Sequence, residues 1–97
     1  MSQYFTIQTI DGNNTDKYQT ISTTTTSTQS TTITARRIAV TTGNLTHYVR
    51  FGSSPVVTTA NGFVIPSNTT MIFNFYSGNK VATIATGASS MSIIDLD

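Results

Sequence analysis

Residues 70–96 read TMIFNFYSGNKVATIATGASSMSIIDL, and this stretch decides the fold. From Thr70 to Tyr76 side chains alternate: Ile72 and Asn74 fall on one face, Phe73 and Phe75 on the other. A period of two is the mark of a half-buried strand. Ser77-Gly78-Asn79 then supplies a hairpin turn into a strand over Lys80–Thr86, and Gly87-Ala88 turns into another over Ser90–Leu96.

The same rhythm extends backwards. Phe63–Ile65 and Val56–Thr59 are short extended pieces, separated by Ala60-Asn61-Gly62 and bounded by Pro55 and Pro66. His47–Phe51 alternates with Val49 and Phe51 together, and Thr31–Val40 places Ile38 and Val40 on one face. Gly43-Asn44 is the turn between these two strands. Tyr4–Ile10 alternates, Asp11-Gly12-Asn13-Asn14 turns, and Tyr18–Thr26 returns as its hairpin partner with Ile21 inward. No window carries a helical repeat. The pattern predicts an all-β fold, a small antiparallel β-sandwich or jelly roll of about eight strands.

Ninety-seven residues make one domain, 1–97. Residues 36–97 hold nearly all the aliphatic core candidates, among them Ile38, Val40, Val49, Phe51, Val57, Phe63, Ile65, Ile72, Phe73, Phe75, Val81, Ile84, Met91 and Ile93. Residues 1–35 form a Thr/Ser-rich N-terminal hairpin or arm. Within it, Thr20–Thr34 reads TISTTTTSTQSTTIT, with no charge, Gly or Pro. Threonine is β-branched and favours extended backbone. This tract is expected to be edge-forming, open to inter-subunit contact, with Ile21 and Ile33 tucked into the core. The hydrophobic fraction is 37%, so oligomerisation or docking on a larger partner would add buried surface.

Charged residues make up 9% of the chain, Glu and Cys are absent, and the net charge is +1. Lys17, Arg36, Arg37, Arg50 and Lys80 are scattered, which argues against the basic stripe of a nucleic-acid binder. Without cysteine there is no disulfide framework or thiolate metal site. The N-terminus shows no signal-peptide pattern, and no apolar run reaches the ~20 residues of a membrane span. Sequons at Asn13, Asn44 and Asn68 are expected by chance in so Thr-rich a chain.

Catalytic readings fare poorly. His47 is the lone histidine, no G-x-S-x-G elbow is present, and a surface or interface histidine is the expectation. Asp11, Asp16, Asp95 and Asp97 lie in a turn and at the terminus, unlike a paired-carboxylate site. Asp11–Asp16 offers oxygen ligands but lacks the calcium-loop spacing and its terminal Glu. Tyr4, Tyr18, Tyr48 and Tyr76 suit protein interfaces as well as sugar stacking. The chain is expected to be no enzyme and to use no cofactor or metal.

Four further stretches carry a resemblance: RIAVTTGN (37–44), YVRFGSSPVVTTANGFVIPSNTTMIFNF (48–75), SGNKVATI (77–84) and SMSIIDL (90–96). An Arg-hydrophobic-x-Val strand leads to Phe51-Gly52-x-x-Pro55. Then follow an Ile65-Pro66-x-Asn68 turn, a Phe-rich strand, Gly78-x-Lys80-Val81 and Ser90-x-Ser92-Ile93. This order resembles small all-β structural proteins of tailed bacteriophages, some of them capsid decoration (cement) proteins, others head–tail or tail accessory proteins. The resemblance implies a virion protein on the outer capsid surface, made in the host cytoplasm, that bridges capsomers. Its partners would be the major capsid protein and itself, as a homo-oligomer such as a trimer at threefold positions; no nucleic acid or membrane is implied. A tail, head–tail connector or fibre-associated protein is the alternative, and a glycan- or host-binding β module a further one. The candidate capsid or inter-subunit contacts are Tyr4, Phe5, Ile7, Tyr18, Ile21, Thr24, Thr26, Arg36 and Arg37. Arg36, Arg37 and Lys80 are expected to guard strand edges against aggregation.

Overall fold

The computed structural model describes residues 18–96. Eight strands run in chain order: β1 (Tyr18–Thr23), β2 (Thr28–Gln29), β3 (Arg37–Thr42), β4 (His47–Gly52), β5 (Phe63–Ile65), β6 (Thr70–Asn74), β7 (Lys80–Ala85) and β8 (Ser89–Asp95). They form two antiparallel sheets. Sheet one has the order β1-β8-β3-β6 and sheet two the order β2-β7-β4-β5. Of all consecutive strands only β4 and β5 are neighbours; every other connection crosses between the sheets. This is the strand order of an eight-stranded jelly roll.

The inner faces follow the alternation in the sequence. Sheet one contributes Ile21, Ile38, Val40, Met91 and Ile93; sheet two contributes Val49, Ile65 and Val81. Each such side chain, fully buried, contributes about 1.5–3 kcal/mol. Phe51 packs edge-on against Phe73 (centroids 5.1 Å) and Phe75 (5.2 Å), joining the sheets along the β5/β6 side. Phe75 itself is buried.

The turn at Ser77-Gly78-Asn79 is present, and Gly78 takes a left-handed φ of 99° that its missing Cβ permits. It is not a hairpin turn, because β6 and β7 lie in different sheets. Ile33 captures it: Gly78 N donates to Ile33 O (2.7 Å) and Ile33 N donates to Asn79 O (2.9 Å). Local turn chemistry is thus satisfied by a distant segment that alternation alone could not identify. Residues 31–36 serve as this bracket, and the strand expected from Thr31 starts at Arg37.

Val56–Thr59 forms no strand; it belongs to the connection between β4 and β5. Val57 from this loop joins Ala82, Ile84 and Tyr48 in a second apolar cluster on the outer face of sheet two. Gly62 closes the loop, since a Cβ there would stand 2.7 Å from Val57 Cγ2 and 2.8 Å from Tyr48 Cβ. The Tyr4–Ile10 strand and the Asp11–Asn14 turn lie outside the described residues.

Two core expectations and one edge expectation fail. Ile72 alternates outward on β6 and is exposed; Phe63 faces inward but is 52% exposed, because β5 is the rim of sheet two. Arg36, Arg37 and Lys80 do not guard edges. Arg37 opens β3 and Lys80 opens β7, both central strands, and Arg36 immediately precedes β3.

Candidate interaction surface

The Thr-rich tract supplies an edge to each sheet. Among the described residues, β1 borders sheet one and β2 borders sheet two on the same side of the sandwich. Among the described residues the four border strands read YQTIST, TQ, FVI and TMIFN, without one charged residue. The charged strand residues Arg37, Arg50, Lys80 and Asp95 all sit on central strands. Proteins usually protect borders with charge, proline or brevity. Here β2 and β5 are short, at two and three residues, whereas β1 and β6 run to six and five. Both long, neutral edges therefore belong to sheet one.

The outer face of sheet one is ordered in rows. Register aligns Thr20, Ser92, Thr41 and Thr70 across all four strands. Thr41 and Thr70 share a 2.8 Å hydroxyl bond, and Thr20 lies 3.4 Å from Ser92. The adjacent row is Tyr18, Ile94, Ala39 and Ile72. Tyr18 is half-exposed, and Thr20 Oγ1 donates to its phenol oxygen at 3.3 Å. That contact, with a smaller one from Ser92, holds the phenol below its ordinary pKa. Hydroxyl ladders and apolar cross-strand rows each stabilise a sheet by a few tenths of a kcal/mol per pair, up to about 1 kcal/mol.

The nine expected contact residues divide accordingly. Tyr4, Phe5 and Ile7 lie outside the described residues. Tyr18 is exposed at the start of β1, and Thr24 and Thr26 are exposed in the β1–β2 connection. Thr24 also holds local structure together, because its carbonyl accepts from Ala85 N and its Oγ1 accepts from Thr26 N. Ile21 is a core residue and not a surface contact, because its parity on β1 directs it between the sheets. Arg36 and Arg37 are exposed, but at the Tyr18 end of sheet one, away from Thr24 and Thr26. Tyr18 and Arg37 thus share one end of one face, and the threonines occupy the other.

His47 is a buried residue, contrary to the surface reading. It lies on the same face of β4 as Val49 and is fully enclosed. Nδ1 approaches Leu45 O at 2.8 Å and Nε2 approaches Thr23 Oγ1 at 2.8 Å. A carbonyl only accepts, so the neutral ring carries its proton on Nδ1 and Nε2 accepts from the Thr23 hydroxyl. The pair ties β1 of sheet one to β4 of sheet two. Burial pushes the imidazole pKa down, partly opposed by the Leu45 carbonyl. Among the described residues no three His, Cys, Asp or Glu side chains group as metal ligands.

One feature was invisible in the sequence. An apolar pocket of about 400 Å3 opens on the β5/β6 side, lined by Val49, Arg50, Phe51, Asn61, Phe63 and Phe73. Alternation placed Phe63 and Phe73 inward, but a three-residue β5 leaves them at an open rim. No protein-family model, curated protein or solved structure matches the chain.

Proposed function

We propose that this protein is an assembling structural module of a phage virion, a capsid decoration protein that binds the outer capsid surface and bridges capsomers. The observation that carries the reading is the reversed distribution of charge. The long edges of sheet one are neutral, while the strand charges are confined to central strands. Uncharged edges are templates for strand pairing with another chain. Many weak contacts of this kind, repeated on a symmetric lattice, give strong attachment through avidity. Jelly rolls recur in viral capsid domains, which supports the reading by analogy of fold. The sequence resemblance over residues 37–96 supports it independently of the edges.

Quantitative mass spectrometry of purified virions tests this. A lattice-bound protein is present in hundreds of copies, whereas a ring at a single vertex holds about six to a dozen. Hundreds of copies per particle is the expected result. A ring-like number moves the protein to the tail or connector, and absence from virions overturns the reading.

A further inference from the structure

β4 is six residues long but β5 only three, and β5 pairs with His47–Val49 alone. From Arg50 to Gly52, β4 therefore has a strand neighbour only on the β7 side. The chain that could have continued β5 lies instead over sheet two, held where Val57 N donates to Ser27 Oγ (3.1 Å) and Gln29 Nε2 donates to Pro55 O (2.9 Å). The place it vacates is the pocket of about 400 Å3, and a second hollow along Ser53–Val56 continues it, sharing Arg50 and Phe51. Phe63 and Phe73 meet edge-on across its mouth at 5.7 Å.

We propose that this bare half of β4 takes an extended peptide by strand addition, the peptide carrying a bulky apolar residue beside an acidic one. Main-chain pairing to an open edge provides affinity, and pockets for alternate side chains provide selectivity. A strand laid along Arg50–Gly52 sends successive side chains to opposite faces. The inward one enters the pocket between Phe51, Phe63 and Phe73, which has room for a leucine or an aromatic ring. The next one emerges on the outer face of sheet two, where Arg50 is exposed. Charge complementarity favours an acid there, beside the exposed guanidinium of Arg50. The site adjoins β6 but rests on the length mismatch of β4 and β5 in sheet two, not on the neutral edges of sheet one, so it goes beyond the assembly reading and does not rest on it.

The test is a titration of the isotope-labelled full chain with two blocked synthetic peptides, Thr-Thr-Asp-Leu-Thr-Val and its counterpart with Lys for Asp, read by amide chemical shifts. The expected result is saturable shifts confined to Arg50–Gly52, Asn61–Phe63 and Phe73, with the lysine peptide about three- to tenfold weaker. Arg50→Gln, at an exposed position, weakens the aspartate peptide and so removes the discrimination between the two peptides. Phe63→Ser weakens both peptides. Absence of saturable shifts up to about 1 mM (weaker than ~4 kcal/mol), shifts centred elsewhere, or equal binding of the two peptides overturns the proposal.

Discussion

Sheet two ends in strands of two and three residues, and the ten-residue loop 53–62 lies across its outer face. Sheet one ends in strands of six and five residues, and its outer residues Tyr18, Thr20, Ser22, Thr70, Ile72 and Asn74 are exposed. Both sheets feed one core, yet the outer face of one is partly covered by its own chain and the other presents long, neutral edges. A chain with so few charges thus divides its labour between the two sheets. Covering sheet two lets Ala82 and Ile84 be buried on a face that would otherwise be wet. Leaving sheet one open keeps a hydroxyl row and an apolar row available to a neighbour.

The two faces of sheet one should therefore respond very differently to truncation. Ile93→Ala, on the inner face of central β8, should cost about 2–4 kcal/mol by chemical denaturation. Ile72→Ala, on the outer face, should cost less than about 1 kcal/mol. Equal losses would mean that the outer face of sheet one is as enclosed as the core.

Sheet two is sharpened by Gly62→Ala. The new methyl meets Val57, the Tyr48 Cβ and the Thr58 carbonyl oxygen at 2.7–3.0 Å, and two of these sit on or beside backbone that cannot yield cheaply. Overpacking of this kind should cost about 1–3 kcal/mol. Faster hydrogen exchange is expected at Val57 than in β8, because the loop releases before the sandwich opens. Unchanged stability would show that the loop is not seated against sheet two.

The tie between the sheets at Thr23–His47 gives a pH dependence. Burial lowers the folded pKa of His47 below its ordinary 6.5, so the unfolded chain takes up the proton first. Stability from this site is fully present above about pH 6.5 and is lost as pH falls towards the folded pKa. His47→Gln should flatten that slope while lowering stability at neutral pH. A slope of the opposite sign would mean that the imidazolium is stabilised in the fold.

The smallest effect belongs to Thr83, whose buried hydroxyl has no hydrogen-bond partner among the described residues. Thr83→Val keeps the shape and removes the unpaired group, and should raise stability by about 1 kcal/mol. A loss of stability instead would show that the hydroxyl is satisfied.

Most strands of residues 37–96 were legible in the sequence because one-sided burial imposes alternation, as at Ile38/Val40, Val49/Phe51 and Met91/Ile93, whereas β7 is buried on both faces. The sheet each strand joins was not legible. Ser77-Gly78-Asn79 has the chemistry of a hairpin turn, but long-range bonds to Ile33 decide where it leads. Val56–Thr59 looked extended because apolar residues in a loop that covers a sheet resemble a strand. His47 was misplaced because a lone polar residue in an alternating run carries no sign of the Thr23 hydroxyl that satisfies it from another strand. The neutral edges could be suspected from the Thr-rich tract, where Thr24 and Thr26 are exposed. The β4 pocket arises from the mismatch in length between β4 and β5, which pairing alone determines.

Light scattering of the full chain beside Thr20→Lys/Ile72→Lys measures whether sheet one drives assembly, since this variant places a charge on each long edge strand of sheet one at an exposed position. Assembly through sheet one gives the wild type a mass of at least twice 10.4 kDa and leaves the variant a folded 10.4 kDa monomer. A wild-type monomer at about 100 μM (an affinity weaker than ~5.5 kcal/mol), or an oligomer that survives these charges and dissociates with Val64→Lys on sheet two, would contradict it.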